Sequence, residues 1–241
     1  LPRSGCADDI MVTLPIYMDS HATTRLDPRV LDAMLPYLSE HFGNPASRTH
    51  AFGRKAAAAV DAARCEVAAL IGARSAEIVF TSGATESNNL AIKGIVAASD
   101  LRPCHVVTVI TEHRAVLDPC RQLESNGCDV TRLPVGPDGL IDLDELKDTC
   151  RDDTTLVSVM VANNEIGTIQ PVAEVARLVK ERAVKSGRTI TVHTDAVQAA
   201  GIVDNTSRVL LSRMVETRCH GNQPIGRCRL TLTNKGMTRD C

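Results

Sequence analysis

Apolar residues along this chain switch repeatedly between two spacings. Some segments repeat them with the 3.6-residue period of a helix, and shorter runs are continuously apolar, as in a strand covered on both faces. Because the two kinds of segment alternate with short connections, we expect one continuous α/β domain with a largely parallel sheet. The pattern predicts helices over 56–71, 88–98, 116–126, 143–150 and 172–186, and strands over 77–81, 105–111, 130–134, 155–162 and 189–193.

The pattern changes near Gly201. Beyond that residue only 209–215 shows a helical period, and residues 202–241 carry seven basic against three acidic side chains, whereas the whole chain has a net charge of −2. We therefore expect an N-terminal extension over 1–13, a domain over 14–201 and a divergent, poorly ordered tail over 202–241.

Composition excludes several classes of partner. The chain has 241 residues, of which 44% are apolar, so it can bury a sizeable core. Its charges are evenly spread and no run of 18 apolar residues occurs, so we expect neither nucleic acid nor membrane as a partner, and a soluble protein of the cytoplasm or mitochondria. The nine cysteines are scattered and never spaced as C-x-x-C. This spacing predicts reduced thiols and no metal site.

A short polar loop, Thr81-Ser82-Gly83-Ala84-Thr85-Glu86, follows one predicted strand and opens the next predicted helix. Backbone N–H groups converge at the positive end of a helix, so the loop is a candidate anion site. An ordinary N-cap, made by Ser82 or Thr85 with Glu86 in the first turn, is an equal alternative at this point.

Polar residues also follow three further predicted strands. His113 can lay a flat ring over an aromatic cofactor or serve as a turn histidine. Asn163 and Asn164 can donate to a phenolic oxygen or form a loop turn. Asp195, with Gln198 nearby, can pair with a protonated ring nitrogen or cap a helix. Together these residues stand at the carboxyl ends of successive strands, where open α/β sheets bind ligands.

These segments resemble those of the cysteine desulfurases and selenocysteine lyases, relatives of the class V aminotransferases. The resemblance covers residues 14–201 and includes the segments 17–24, 42–47, 80–94 and 157–171. It implies the fold type I of pyridoxal-phosphate-dependent transferases, here as an incomplete large domain with a mostly parallel sheet. It also implies pyridoxal 5'-phosphate as cofactor, cysteine or selenocysteine as substrate, a homodimer with its site near the subunit boundary, and a sulfur or selenium acceptor protein as a further partner.

The same resemblance implies a role for each polar segment. Ala84 and Thr85 would bind the cofactor phosphate, and His113 would stack on the cofactor ring. Residues 19–24 would lie near the substrate and the dimer contact. Within them, His21 stands where such proteins commonly have asparagine.

Two edges of the ring would be contacted by other residues. Asp195 would contact the ring nitrogen, while Asn164 and Gln198 would lie near the phenolic oxygen.

The resemblance fails after Gly201. The family continues to a strand that ends in Ser-Gly-His-Lys, whose lysine forms the Schiff base. Here Gly221 occupies the expected lysine position, and Lys235 lies in an unrelated context. We therefore expect no catalytic residue in this chain, because the Schiff-base lysine and the reactive cysteine are both missing. Two functions follow: a desulfurase or lyase whose activity is impaired, or a non-catalytic truncated isoform that acts as a binding or dimerisation partner.

Overall fold

The computed structural model describes residues 14–99, 104–201 and 203. The expected N-terminal extension over 1–13 lies outside these residues. So does the expected tail over 202–241, apart from Val203, together with its helical segment 209–215.

Helices and strands alternate through the described residues. None of the described helices is long and apolar enough to cross a membrane. The helices are α1 (Pro28–Ser39), α2 (Ala51–Ile71), α3 (Ala84–Ala97), α4 (Arg114–Ser125), α5 (Leu143–Thr149) and α6 (Val172–Ser186). The strands are β1 (His105–Val109), β2 (Asp129–Leu133), β3 (Thr154–Ser158) and β4 (Thr191–His193).

The four strands form one parallel sheet in the order β2-β1-β3-β4. His105 of β1 is in register with Asp129 of β2, and Leu156 of β3 is in register with Thr191 of β4. All four strands therefore end at the same edge of the sheet, which is where polar residues were predicted to converge. The predicted α/β class with a parallel sheet is confirmed.

Helices cover both faces of this sheet. On one face, Val107 and Val109 of β1 belong to an apolar cluster with residues of α2, α5 and α6. On the other, Val106 of β1 and Leu156 of β3 belong to a cluster with residues of α3 and α4. Successive strand side chains point to opposite faces, so a strand buried on both sides must be continuously apolar. The unbroken apolar runs in the sequence have this cause.

The strand predicted over 77–81 is wrong. A 3₁₀ helix occupies Ser75–Glu77, and the chain beyond it is irregular except for a single bridge at Ile78. The Glu77 carboxylate is buried and accepts hydrogen bonds from the backbone N–H of Arg74 at 2.9 Å and from its guanidinium at 2.6 Å. These bonds hold the segment in a turn, while Phe80 remains 46% exposed.

Helix α1 lies in a segment where the hydrophobic pattern predicts no element. Asp27 caps it by accepting a hydrogen bond from the Arg29 backbone N–H at 2.8 Å, and Pro28 occupies its first position, where a missing N–H costs nothing. None of its residues is buried within the described chain. Its stability therefore depends on local capping more than on packing.

A disulfide joins Cys104 and Cys128, whose Cα atoms are 5.0 Å apart. The two residues directly precede β1 and β2, and the register of His105 with Asp129 sets them side by side. The prediction of reduced thiols is thus wrong for this pair. The other cysteines of the described residues are free: Cys65, Cys120 and Cys150.

Two valines of α6 test how much the covering helices contribute to stability. Val179 is fully buried against the sheet, whereas Val184 is 49% exposed. We expect Val179→Ala to lower the free energy of unfolding by about 2 kcal/mol, because two buried methyl groups and their contacts are lost. Val184→Ala makes the same chemical change in the same helix and should leave the urea midpoint nearly unchanged. Equal losses in both variants would contradict this packing.

Candidate cofactor site

Hydrogen bonds gather four chain segments at the carboxyl edge of the sheet. Asn163, after β3, donates from Nδ2 to the carbonyl of Thr111, after β1, at 2.9 Å. The Val161 N–H donates to the carbonyl of Asp195, after β4, at 3.0 Å. Asn88 of α3 donates from Nδ2 to Oδ2 of Asp195 at 2.9 Å. The structure therefore brings together the polar segments that the sequence places at successive strand ends.

The first turn of α3 is open to an anion. Gly83 precedes the helix, and no side chain of the described residues caps it. Ser82 donates instead to the Glu86 carboxylate, from its backbone N–H at 2.7 Å and its hydroxyl at 2.6 Å. These bonds hold the pKa of Glu86 below its usual range. The N-cap alternative is thus not what forms. The backbone N–H groups of Ala84 and Thr85 lie at the positive end of the helix dipole and have no hydrogen-bond partner among the described residues.

Asp195 is a buried carboxylate, only 8% exposed. Its Oδ2 accepts from Asn88, and its Oδ1 accepts from the Val197 backbone N–H at 3.0 Å. The bond to Val197 is the local turn role that the sequence allowed, and the bond from Asn88 comes from a different element. Asn88 lies four residues after Ala84, so the residue that holds the carboxylate is roughly 6 Å along the helix axis from the open end.

His113 caps α4. Its ring Nδ1 accepts a hydrogen bond from the Ala115 backbone N–H at 3.1 Å, and the side chain is exposed. In the neutral ring the proton therefore lies on Nε2. The turn role is confirmed, and it fixes one edge of the ring while leaving its faces free; stacking on a cofactor stays a prediction.

The two asparagines after β3 differ. The Asn163 side chain is consumed by the turn: beyond its bond to Thr111, its Oδ1 accepts from the backbone N–H groups of Glu165 at 2.8 Å and Ile166 at 3.0 Å. Asn164 is half-buried, and its amide makes no hydrogen bond within the described part of the chain. It is therefore the asparagine whose amide is free for a ligand.

Gln198 connects the site to the N-terminal segment. Its Nε2 donates to the carbonyl of His21 at 3.3 Å, and His21 Nδ1 lies 3.1 Å from Oδ1 of Asp19. The contact brings part of the segment 19–24 to the edge of the site, where the resemblance implied it.

Two buried polar residues and one partly buried histidine here have no counterpart in the sequence predictions. Asn88 holds Asp195, and Glu112 is 5% exposed with its Oε1 accepting from the Met160 N–H at 2.6 Å. Burial raises the pKa of Glu112 to about 8. Burial also lowers the pKa of His193, whose Nδ1 lies 2.8 Å from the Ser158 hydroxyl, to about 4. The one sequence signal that could have identified these residues is that each is a polar residue within or next to an apolar segment.

The donor set suits pyridoxal phosphate. An uncapped helix end accommodates a phosphate, and a buried carboxylate accommodates a protonated ring nitrogen. Within the described residues no cluster of three or more histidine, cysteine, aspartate or glutamate side chains could hold a metal ion. The open helix end and the buried carboxylate together favour an organic ligand that carries a phosphate and a basic ring.

Known proteins are similar to this chain in sequence. The family described as Aminotransferase class-V matches residues 16–204. The cysteine desulfurase IscS of Rickettsia rickettsii (strain Iowa) is 49% identical over 218 residues, which cover 89% of this chain and 52% of that protein. The chain thus spans about half the length of the curated relatives it matches. Residues 1–201 make up less than 89% of the chain, so the alignment extends past Gly201.

Solved structures share the fold. A NifS-like protein superposes with a TM-score of 0.73 and 42% identity, covering 77% of this chain and 50% of that one. A structure described as SspA in complex with cysteine gives 0.70 and 40%, covering 76% and 51%. These likenesses confirm the type I fold. The chain belongs to the class-V aminotransferase family, whose cysteine desulfurases depend on pyridoxal phosphate.

Proposed function

We propose that this chain is the cofactor-binding part of a pyridoxal-phosphate-dependent cysteine desulfurase or selenocysteine lyase. Such an enzyme removes sulfur or selenium from L-cysteine or L-selenocysteine and leaves L-alanine. The observation that carries the proposal is the hydrogen bond from Asn88 to Asp195, which sets an uncapped helix end and a buried carboxylate at one edge of the sheet. Cysteine desulfurases that are 49% and 51% identical to this chain in sequence support the proposal.

The phosphate binds at the first turn of α3. The backbone N–H groups of Ala84 and Thr85 and the Thr85 hydroxyl donate to its oxygens, in addition to the helix dipole. The Glu86 carboxylate stays out of this position because Ser82 holds it from the preceding loop. An anionic side chain close by is therefore restrained where it does not displace the ligand.

His113 and Asp195, which follows β4, would hold the cofactor ring. When bound, the cofactor supplies an electron-withdrawing ring, and Asp195 keeps the ring nitrogen protonated by opposing its charge. The capping bond from Ala115 orients the His113 ring for stacking. The free amide of Asn164 supplies a donor for the phenolic oxygen. Gln198, whose Nε2 already donates to the His21 carbonyl, supplies a second donor through its other N–H.

Cysteine is supported as a substrate by the relative whose structure is described in complex with cysteine. The segment around His21, which contacts Gln198, is the part of the described chain placed to meet a substrate beside the ring. Selenocysteine shares the same amino-acid frame, and the described residues hold nothing that separates sulfur from selenium.

A second copy of this chain is the partner that the surface favours. Helix α1 buries none of its residues and presents Leu31, Leu35 and Leu38, each more than 40% exposed. The segment just before it adds exposed Ile16 and Met18. Exposed apolar side chains on one helix, as at Leu31, Leu35 and Leu38, are typical of a homodimer interface. The non-catalytic alternative, an isoform that only dimerises, would use this same surface. A sulfur or selenium acceptor protein and a cytoplasmic or mitochondrial location stay predictions.

Covalent attachment of the cofactor requires a lysine amine. The five lysines of the described residues all lie in helices and none follows a strand of the sheet: Lys55, Lys93, Lys147, Lys180 and Lys185. In the sequence, Gly221 stands at the position expected for the attachment lysine. These 241 residues therefore bind the cofactor without a covalent bond, and their turnover is impaired.

Thr85 tests the phosphate site. Thr85→Val removes a hydroxyl donor to a dianion, a bond worth on the order of 1.5–3 kcal/mol, so the dissociation constant for pyridoxal phosphate should rise roughly ten- to hundredfold. Thr85→Ser keeps the hydroxyl and should bind close to normally. The measurement is an absorbance titration of the 241-residue chain with the cofactor. An unchanged dissociation constant for Thr85→Val would remove the basis for this phosphate site.

Borohydride trapping tests covalent attachment. The chain, saturated with pyridoxal phosphate and reduced, should show no lysine adduct by mass spectrometry, because no lysine stands at the family position. Alanine release from cysteine or selenocysteine should not exceed that of the free cofactor. An adduct mapped to Lys235, or turnover well above the free-cofactor rate, would show that the residues after Gly201 supply the missing amine.

A further inference from the structure

We propose that Glu112 is a positioning residue of the cofactor site, held as a neutral carboxylic acid that fastens the loop carrying His113 to the chain segment that leaves β3. The inference rests on the proposed function only for the identity of the ligand. The protonation of Glu112 and its bond to Met160 are properties of the chain without cofactor.

Glu112 takes the place of a strand partner that β1 no longer provides. Beyond β3, the N–H groups of Val159 and Val161 donate towards the β4 side, to the carbonyls of His193 at 3.1 Å and Asp195 at 3.0 Å. The N–H of Met160, between them, points the opposite way. There β1 has already ended at Val109, and Glu112 Oε1 accepts this N–H at 2.6 Å.

This bond fixes the position of His113. Glu112 directly precedes His113, whose ring caps α4 through Ala115. Two neighbouring residues therefore hold the loop. Glu112 bonds it to the segment after β3, and His113 bonds it to the first turn of α4. If the bond to Met160 is lost, an N–H remains buried without an acceptor and the His113 loop loses its anchor to the sheet.

The surroundings of Glu112 favour its protonated form. The side chain is 5% exposed, and its second oxygen, Oε2, is buried without a hydrogen-bond partner in the described residues. The charge that acts on it is that of Asp195, which has the same sign. A buried carboxylate with one donor and a neighbouring anion is costly, whereas the carboxylic acid carries only the smaller cost of one unpaired hydroxyl.

The neighbouring titratable groups offer no compensating charge. Cys120 of α4 interacts with Glu112, but burial raises the pKa of its thiol to about 11, so it stays neutral. Burial first, and then the charge of Asp195, raise the pKa of Glu112 to about 8, against the lowering effect of the Met160 N–H. At neutral pH Glu112 is therefore mostly protonated beside Asp195.

The direct test is the infrared spectrum of the cofactor-free 241-residue chain at pH 7. A carbonyl-stretch band of a protonated carboxyl should be present, should be absent in Glu112→Gln, and should persist in Glu145→Gln, which makes the same change on the exposed surface of α5. A band missing from the unchanged chain, or retained in Glu112→Gln, overturns the proposal.

The pH dependence of unfolding gives a second readout. Between pH about 4.5 and 8 the folded chain holds a proton on Glu112 that the unfolded chain has released. The unfolding midpoint in urea should therefore fall as the pH rises through this window. It should fall less in Glu112→Gln, and as in the unchanged chain in Glu145→Gln. Parallel profiles for all three proteins overturn the proposal.

Cofactor titration at pH 7 separates positioning from mere stability. Glu112→Ala should weaken pyridoxal phosphate binding about tenfold or more, since a buried N–H loses its acceptor next to His113. Glu112→Gln retains an acceptor at Oε1 and should rescue most of this loss. Equal weakening in both variants contradicts the positioning role. If the unchanged chain binds no cofactor, the proposed function fails, but the infrared band and the pH profile still decide the protonation state of Glu112. Both of these measurements use Glu112→Gln, so they remain valid even if Glu112→Ala does not fold.

Discussion

The hydrogen bond between Asn88 and Asp195 joins helix α3 to the carboxyl edge of the sheet. Asn88 belongs to α3, whose first turn is open, and Asp195 follows β4. Both side chains are buried, so each would pay a desolvation cost without the other. Their pairing fixes how far the positive helix end lies from the buried carboxylate. A ligand with a phosphate at one end and a protonated nitrogen at the other has charges complementary to these two groups.

The parallel sheet makes this pairing available. Strands in register end at one edge, so the loops after β1, β3 and β4 are neighbours there although they are far apart in sequence. Helices on both faces bury the apolar side chains, and the polar groups that remain must find partners at the edge. Asn163 bonds Thr111, Glu112 bonds Met160, and Gln198 bonds His21. Binding residues are therefore held on loops by hydrogen bonds to rigid strands.

Much of this architecture could be predicted from the sequence. The predicted helix over 172–186 coincides with α6, and the strand predicted over 130–134 lies within one residue of β2. Long periodic segments and unbroken apolar runs carry this information locally. The segment 77–81 reads as a strand because it is apolar, but hydrogen bonds from Arg74 to the buried Glu77 carboxylate close a turn instead. This contact is local, yet it joins polar groups, and the hydrophobic pattern does not register it.

The residues of the site could be predicted only in part, because some of them are positioned by partners distant in the sequence. His113 and Asp195 follow strands directly, so topology alone assembles them. Asn88 and Glu112 matter because of partners 107 and 48 residues away, and spacing cannot identify such partners. The Cys104–Cys128 pair likewise follows from the register of two strands, which is known only once the sheet order is known.

A crystal structure of this chain with pyridoxal phosphate bound would show whether α3 and Asp195 form the cofactor site. We expect the phosphate oxygens to lie within hydrogen-bond distance of the Ala84 and Thr85 N–H groups, and the ring nitrogen to face the Asp195 carboxylate. A phosphate bound elsewhere, with the first turn of α3 still open and Asp195 paired only with Asn88 and Val197, would contradict it.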